Sequence, residues 1–248
     1  MPTQWTLDLA LTTDLAEQYR YDVIHALACR FFEQPDADHE AEHKPFAARL
    51  GPASATGSVL TLAWLRDDPP PAAAVPTSLR LGPHHVEVTA FRTDKRPHAR
   101  LGTQPHTGRI RYQTLSPTKF RHHGNDYLLP DPYLTYSGLV RRYRLVNPSA
   151  VSDELARDLP RSVIVHHHDI HTEPVTWHGH PTVGFVGTVT FGLSRTCSRE
   201  GRQLFAKLND FAAIAGIGHG TTHGLGAVET CPEPTLRQPP AENQEADD

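Results

Sequence analysis

The stretch DHEAEHKPF, residues 38–46, sets His39, Glu40, Glu42, His43 and Lys44 almost side by side. Two kinds of chemistry use such a set. His39-Glu40-Ala41-Glu42-His43 satisfies the HExxH spacing of zinc proteases, where histidines four apart on one helix face hold the metal and the glutamate acts as base. Alternatively, a histidine can take or give a proton near neutral pH, and an adjacent lysine supplies fixed positive charge to a developing oxyanion. The protease reading needs a helix. Pro35 and Pro45 bracket the motif, the window between them is mostly polar (Asp36, Asp38, Glu40, Glu42), and Pro45 biases Lys44 away from helical geometry. The pattern predicts a short exposed turn with no apolar face and no third ligand nearby, and therefore not a zinc protease.

A second candidate is GIGHGTTHGLG, residues 216–226, with Gly216, Gly218, Gly220, Gly224 and Gly226. Glycine lets a backbone take positive φ and approach a ligand closely, and successive N–H groups in such a loop can cradle an anion. No Gly-Lys-Ser/Thr closes it, so it is not a P-loop. It follows a helix and precedes a strand, the reverse of a dinucleotide fingerprint. VHHHDIH (165–171) and HGH (178–180) invite a metal reading. Neighbours on a strand point to opposite faces, so His166 and His168 share a side and His167 does not. Solvent exposure explains these tracts better, and no functional metal and no cofactor are expected.

The elements that must position these groups are readable in outline. WTLDLAL (5–11) reads as a strand, and 14–32 as a helix with Asp14 at its N-cap and a stripe of Leu15, Tyr19, Val23, Leu27 and Phe31. FAARLG, SVLTLAWL, SLRLGPHHVEVTAF and GRIRYQTL supply strands around the proline-rich loop 67–78. A helix over 131–146, strands over 162–170 and 182–193, a helix over 198–216 and a closing strand over 224–231 follow. The helix 198–216 carries Leu204, Leu208, Phe211 and Ile214 on one face, with Gly216 placed to stop it. Each half approximates the split βαβ pattern. The expected class is α+β: two tandem ferredoxin-like (RRM-like) domains with antiparallel sheets. They are divided at the SPT break into 1–115 and 116–231, with a disordered acidic tail over 232–248.

Charge narrows the partners. The net charge of −4 resides in the tail, where five acids face one Arg237, so the rest of the chain is neutral. Residues 86–144 hold eleven Lys/Arg against four Asp/Glu, a net +7, with four histidines besides. A basic middle with an acidic tail suits a polyanionic ligand. Three scattered cysteines, Cys29, Cys197 and Cys231, do not make a disulfide framework. The start MPTQWTLDLA lacks the basic region and apolar run of a signal peptide. A cytoplasmic protein without a membrane partner is expected.

The spacing Gly-Ile-Gly, five residues, Gly-Leu-Gly resembles the C-terminal glycine-rich loop of the CRISPR precursor-RNA processing endoribonucleases of the repeat-associated mysterious protein (RAMP) superfamily. SPTKF (116–120), LPDPYLTYSGLVRRY (129–143), GFVGTVTFGL (184–193) and the run from HAL (25–27) through HEAEHKPF (39–46) are similar to family segments, so the resemblance spans roughly residues 5–231. It implies two ferredoxin-like domains that bind CRISPR repeat RNA. It also implies metal-independent cleavage within the repeat, leaving 5′-hydroxyl and 2′,3′-cyclic phosphate ends. Such a chain would act as monomer or homodimer, with other CRISPR effector subunits as further partners.

By the same resemblance, His39 is the base or acid and Lys44 the transition-state stabiliser. His43 is an alternative to His39, and His25 matches a histidine that some relatives carry inside the first helix. The family's helix tyrosine is matched by Cys29 or by Tyr21. RNA contacts fall on Gly216, Gly218, His219, Gly220, Thr221, Thr222, His223, Gly224 and Gly226, on Arg141 and Arg142, and on Lys119 and Arg121. The family loop usually carries Lys or Arg among its middle residues. Here they are His219-Gly220-Thr221-Thr222-His223, which implies phosphate contact through backbone, hydroxyls and partly protonated imidazoles. A second reading, from another class, is a non-catalytic RNA-binding subunit of an effector complex.

Overall fold

The computed structural model describes residues 1–15, 17–33, 44–71, 75–103 and 108–231; for residues 17–19 and 231 only the backbone is considered. Residues 38–43 of the expected exposed turn and the tail 232–248 lie outside these ranges; Lys44, at the turn's end, is described and is buried rather than exposed.

The first half comprises β1 (Thr3–Leu9), α1 (Glu17–Phe32), β2 (Phe46–Leu50), β3 (Ser58–Trp64), β4 (Ser78–Leu81) and β5 (His84–Lys95). They form a five-stranded sheet in the order β2-β3-β1-β5-β4, with every neighbouring pair antiparallel. The second half comprises β6 (Arg109–Thr114), the hairpin β7 (Phe120–His122)/β8 (Asn125–Tyr127), α2 (Pro132–Val146), α3 (Asp153–Ser162), β9 (Val163–Trp177), β10 (His180–Leu193), α4 (Arg199–Ala215) and β11 (Val228–Cys231). Its main sheet runs β11-β6-β10-β9, again antiparallel. With α2/α3 and α4 as crossovers this is a complete ferredoxin-like βαββαβ unit. The first half has the same order with β5 as last strand, but the β4 hairpin stands where the second crossover helix would. By sheet membership β6 belongs to the second unit, so the sheets divide between Lys95 and Arg109, ahead of the expected 115/116.

Local chemistry explains the helix ends. Ser198 caps α4 by accepting from the Gly201 N–H, and Gly216, at φ +75°, ends it. Its stripe Leu204, Leu208, Phe211 and Ile214 is buried as the periodicity predicts. Asp131 caps α2, with Pro132 in the first turn. In α1 the buried face is Tyr21, Ile24, Leu27, Ala28 and Phe32, rotated from the expected stripe; Val23 and Phe31 are only half-buried. The reason is that α1 packs on two partners, its own sheet and β9 of the other half. Two elements were not anticipated. α3 (DELARDLPRS) is mostly polar, and the β7–β8 hairpin turns on His123 and Gly124, both at positive φ.

The β2–β3 side of the first sheet is covered on both faces, whereas β5 is largely exposed. Phe46, Ala48, Leu50, Leu60, Leu62 and Trp64 pack under α1, while Ala47, Ala63 and Leu65 join the core of the second unit with Tyr143, Phe211 and Ala215. Small side chains at 47 and 63 let α4 approach β2 closely. Inside the second core, Asn209 Oδ1 accepts from the hydroxyls of Tyr112 (2.5 Å) and Tyr136 (2.7 Å), which satisfies two buried phenols.

His98 sits in the same seam. It is buried, one ring nitrogen lies 3.0 Å from the Leu65 carbonyl, and its ring meets Tyr143 edge-on. Burial lowers its pKa; Asp67 and the Leu65 bond oppose this, and the N-terminal ammonium and Lys207 add to it. An unfolded chain therefore protonates His98 near pH 6.5 while the folded one does not. Between those two pKa values the unfolded state binds the extra proton, so stability falls as pH drops below about 6.5. Urea midpoints measured from pH 7.5 to 5 should fall more steeply in the wild type than in His98→Gln.

Candidate functional site

All five loop glycines hold positive φ, between +68° and +99°. The reason is close backbone approach. A Cβ on Gly226 would lie 1.9 Å from the Ile217 carbonyl oxygen, and one on Gly218 would lie 2.3 Å from that of Lys119. The loop folds on itself through Ile217 N–H donating to Gly226 O (2.8 Å). It locks onto SPTKF through His219 N–H to Lys119 O (2.8 Å) and Gly226 N–H to Pro117 O (3.0 Å). It then crosses to the first unit, where Thr221 O accepts from the Ala48 N–H (3.1 Å) and Gly224 rests against Ile24. Several loop N–H groups are thus committed to structure. The glycines make a latch between the halves first and a ligand surface second.

Beside the latch opens a cleft of about 930 Å³, walled by α1, α2, the β9–β10 tip and the loop. His25 of α1 lies in it, face to face with His223 at 3.8 Å between ring centroids. His25 Nδ1 is 3.4 Å from the Thr222 carbonyl and Nε2 is 3.5 Å from Cys29 Sγ. Burial pushes the Cys29 thiol up to about 11, so it stays protonated, and the Thr222 carbonyl can only accept. Nδ1 then carries the hydrogen for Thr222. Lys44 also lines the cleft; its ammonium is 3.9 Å from Cys29 Sγ and forms a buried ion pair with Glu33. A continuous polar chain thus runs Glu33–Lys44–Cys29–His25–Thr222 from the first unit into the loop.

Burial also lowers the His25 pKa, against its Thr222 bond. His223 is pushed down to about 2, by burial first and then by His25, His178, His219 and Lys44. The expectation of a partly protonated phosphate ligand therefore fails for His223, which is a neutral, inward imidazole.

The remaining candidates divide by environment. His39 and His43 lie outside the described residues. Arg141 and Arg121 are exposed and line the cleft. Arg142, read as a phosphate fork, has its guanidinium withdrawn into the seam, where it donates to the carbonyls of Ala215 and Phe46, the latter at 2.8 Å. Burial lowers its pKa to about 10. Lys119 is buried too, held by Asp126 (2.9 Å) and Thr182 (3.1 Å) and set 4.6 Å from the Trp177 ring centroid. Both cations shape the cleft and are not free to grip a ligand. His219, Gly220 and Thr222 are the half-buried loop residues on the cleft, Gly218 is exposed, and Thr221 is buried behind them. Gly216, Gly224 and Gly226 are buried in the latch.

The strand histidines also depart from simple alternation. The β9–β10 register slips between Thr190 and Phe191, leaving His166 as an extra residue opposite no partner, and His166, His167 and His168 are all exposed. Sequence reasoning missed Trp177, which stands at the hairpin tip against His219 and His223, and Asp22, one turn before His25. The signals available were an aromatic next to HGH and an acid on a mostly apolar helix.

Residues 112–228 match the family model of the CRISPR-associated endoribonuclease Cas6. A CRISPR-associated endoribonuclease Cas6 of Mycobacterium tuberculosis (strain CDC 1551 / Oshkosh) is 25% identical over 152 residues, covering 59% of this chain and 48% of the relative. The chain thus spans about half the length of the curated relatives it matches. Among solved structures, a Cas6 product complex superposes with a TM-score of 0.77 at 22% identity, covering 94% of this chain and 100% of that one. A Thermus thermophilus Cas6 gives a TM-score of 0.72 at 20% identity over 93% and 98%. A RAMP protein binding different RNA substrates gives 0.52 at 13% over 93% and 99%. These structures share the fold of two tandem ferredoxin-like units. The family returned is the one the glycine loop resembles.

Proposed function

We propose that this chain, similar to the Cas6 endoribonucleases in its loop, its second unit and its fold, cleaves precursor CRISPR RNA within the repeats. The observation that carries the reading is the meeting, in one cleft, of the family's glycine loop with His25 and Lys44 of the first unit. The segment bearing His39 and His43 leaves the described chain at Glu33 and rejoins it at Lys44, and these two residues are ion-paired.

The reaction needs no metal. The ribose 2′-oxygen forms a bond to the adjacent phosphorus as the bond to the 5′-oxygen breaks. A base removes the 2′-hydroxyl proton and an acid protonates the departing 5′-oxygen, leaving a 2′,3′-cyclic phosphate and a 5′-hydroxyl. His39 takes one proton role, with His43 the alternative, and Lys44 offsets charge on the phosphorane oxygens. In the free protein Glu33 holds Lys44; bound phosphate competes for the ammonium. Arg121, Arg141 and the loop edge at His219, Gly220 and Thr222 guide the backbone, in a region whose net charge is positive. The reading puts the enzyme in the cytoplasm, as monomer or homodimer, with repeat RNA and other CRISPR effector subunits as partners. Among the described residues no helix is long and apolar enough to cross a membrane.

The test is cleavage of labelled repeat RNA in excess EDTA, beside the same RNA with a 2′-deoxy nucleotide 5′ of the cut. Cutting that survives EDTA and stops at the deoxy substitution is the expected result. Loss of cutting in EDTA with no fall in Tm would overturn the mechanism, and tight binding without cutting would favour a non-catalytic RNA-binding subunit.

A further inference from the structure

Three side chains from three separate elements converge at one end of the cleft. Asp22 of α1, His178 at the β9–β10 tip and His223 of the glycine loop bring their ligand atoms within 4.8 Å of one another. His223 is only 9% exposed, and its Nε2 is buried with no hydrogen-bond partner among the described residues. Its other nitrogen, Nδ1, is occupied by the Thr222 hydroxyl at 3.1 Å. In the tautomer whose Nδ1–H donates to that hydroxyl, Nε2 presents its lone pair, the arrangement of a metal-bound histidine with an outer hydrogen bond. A buried polar atom without a partner is costly, so the vacancy on Nε2 asks for an occupant. Asp22 Oδ1 is buried as well and stands 3.1 Å from His178 Nδ1, while the His178 ring sits edge-on to His223 at 5.1 Å.

We propose that Asp22, His178 and His223 bind one divalent transition-metal ion, zinc by preference, which ties α1 of the first unit to the hairpin tip and glycine loop of the second. Two imidazoles and one carboxylate, with water completing a tetrahedron, are a donor set suited to zinc. Zinc–ligand distances of about 2.0–2.2 Å place donors roughly 3.3 Å apart. Asp22 Oδ1 and His178 Nδ1 already stand 3.1 Å apart, and the His178 side chain, 63% exposed at a turn followed by Gly179, has room to adjust. The ion is a clamp and takes no part in the transesterification; the inference stands on the three residues and does not need the RNA reading. It was invisible along the chain because positions 22, 178 and 223 share no spacing.

Zinc titration of the full chain by calorimetry, with cobalt(II) absorption as a second readout, tests it. One equivalent should bind, cobalt should develop a tetrahedral visible band, and zinc should raise Tm. His178→Gly, which suits the positive φ there, and Asp22→Asn, nearly isosteric, should each weaken binding at least about tenfold and abolish the Tm rise. His166→Ala/His168→Ala and His39→Ala/His43→Ala should leave it unchanged. No binding at micromolar zinc, equal affinity in both site variants, or loss in either control pair would overturn the proposal.

Discussion

His39→Ala is expected to slow repeat cleavage on the order of 10²–10⁴-fold, the usual contribution of one positioned proton-transfer group, while leaving RNA affinity within about threefold. His25→Ala should behave differently. Its ring stacks on His223 and its Nδ1 reaches the Thr222 carbonyl, so its removal loosens the loop edge that the cleft presents. Both affinity and rate should then fall together, because a misplaced phosphate is also a poorly aligned one. Single-turnover cleavage and filter binding on the two variants separate these cases. A His39→Ala enzyme that still cuts at the wild-type rate would move the proton role to His43 or His25. A His25→Ala enzyme that loses rate but binds normally would make His25 a catalytic residue in its own right.

The second large effect is structural. Gly226→Ala should lower stability by roughly 2–5 kcal/mol, combining left-handed backbone cost with overpacking. The added carbon would meet the Ile217 carbonyl at 1.9 Å, where φ is +68°. In this size range that is a Tm drop on the order of 5–20 °C. Gly124→Ala is the matched control. It also holds positive φ, at +79°, but nothing lies within 4 Å of its added carbon, so it should lose only the backbone part, about 1–2 kcal/mol. Thermal melts of the two side by side isolate the contact. Equal losses would mean that the loop yields easily and is not a latch.

Which parts of this were legible along the chain depends on how local the determining interactions are. α4 was readable end to end because its cap, stripe and stop lie within one stretch, from Ser198 to Gly216. The buried face of α1 departs from its sequence stripe because the helix faces two partners, and a single periodicity cannot describe two buried sides. α3 escaped because DELARDLPRS buries only Leu159 and Pro160 fully. The glycine loop was found as a feature, but its reason was not. The need for glycine at 218 and 226 comes from the carbonyls of Lys119 and Ile217, and only the folded chain brings the former near. The resemblance assigns Arg142 and Lys119 to RNA by position; the carbonyls and the carboxylate that occupy them come from residues scattered between Phe46 and Ala215.

On its β2–β3 side the first sheet buries one face under its own helix and the other against Tyr143, Phe211 and Ala215. There the neighbouring unit supplies the cover that a second helix would give, while β5 is left largely exposed. The halves are consequently unsuited to life as interchangeable modules. Severed between residues 96 and 108, each would carry a raw apolar surface and half a cleft, and shuffling either into another chain would transfer a fold without its working groove. Calorimetric unfolding as one merged transition is the behaviour such a shared interior demands.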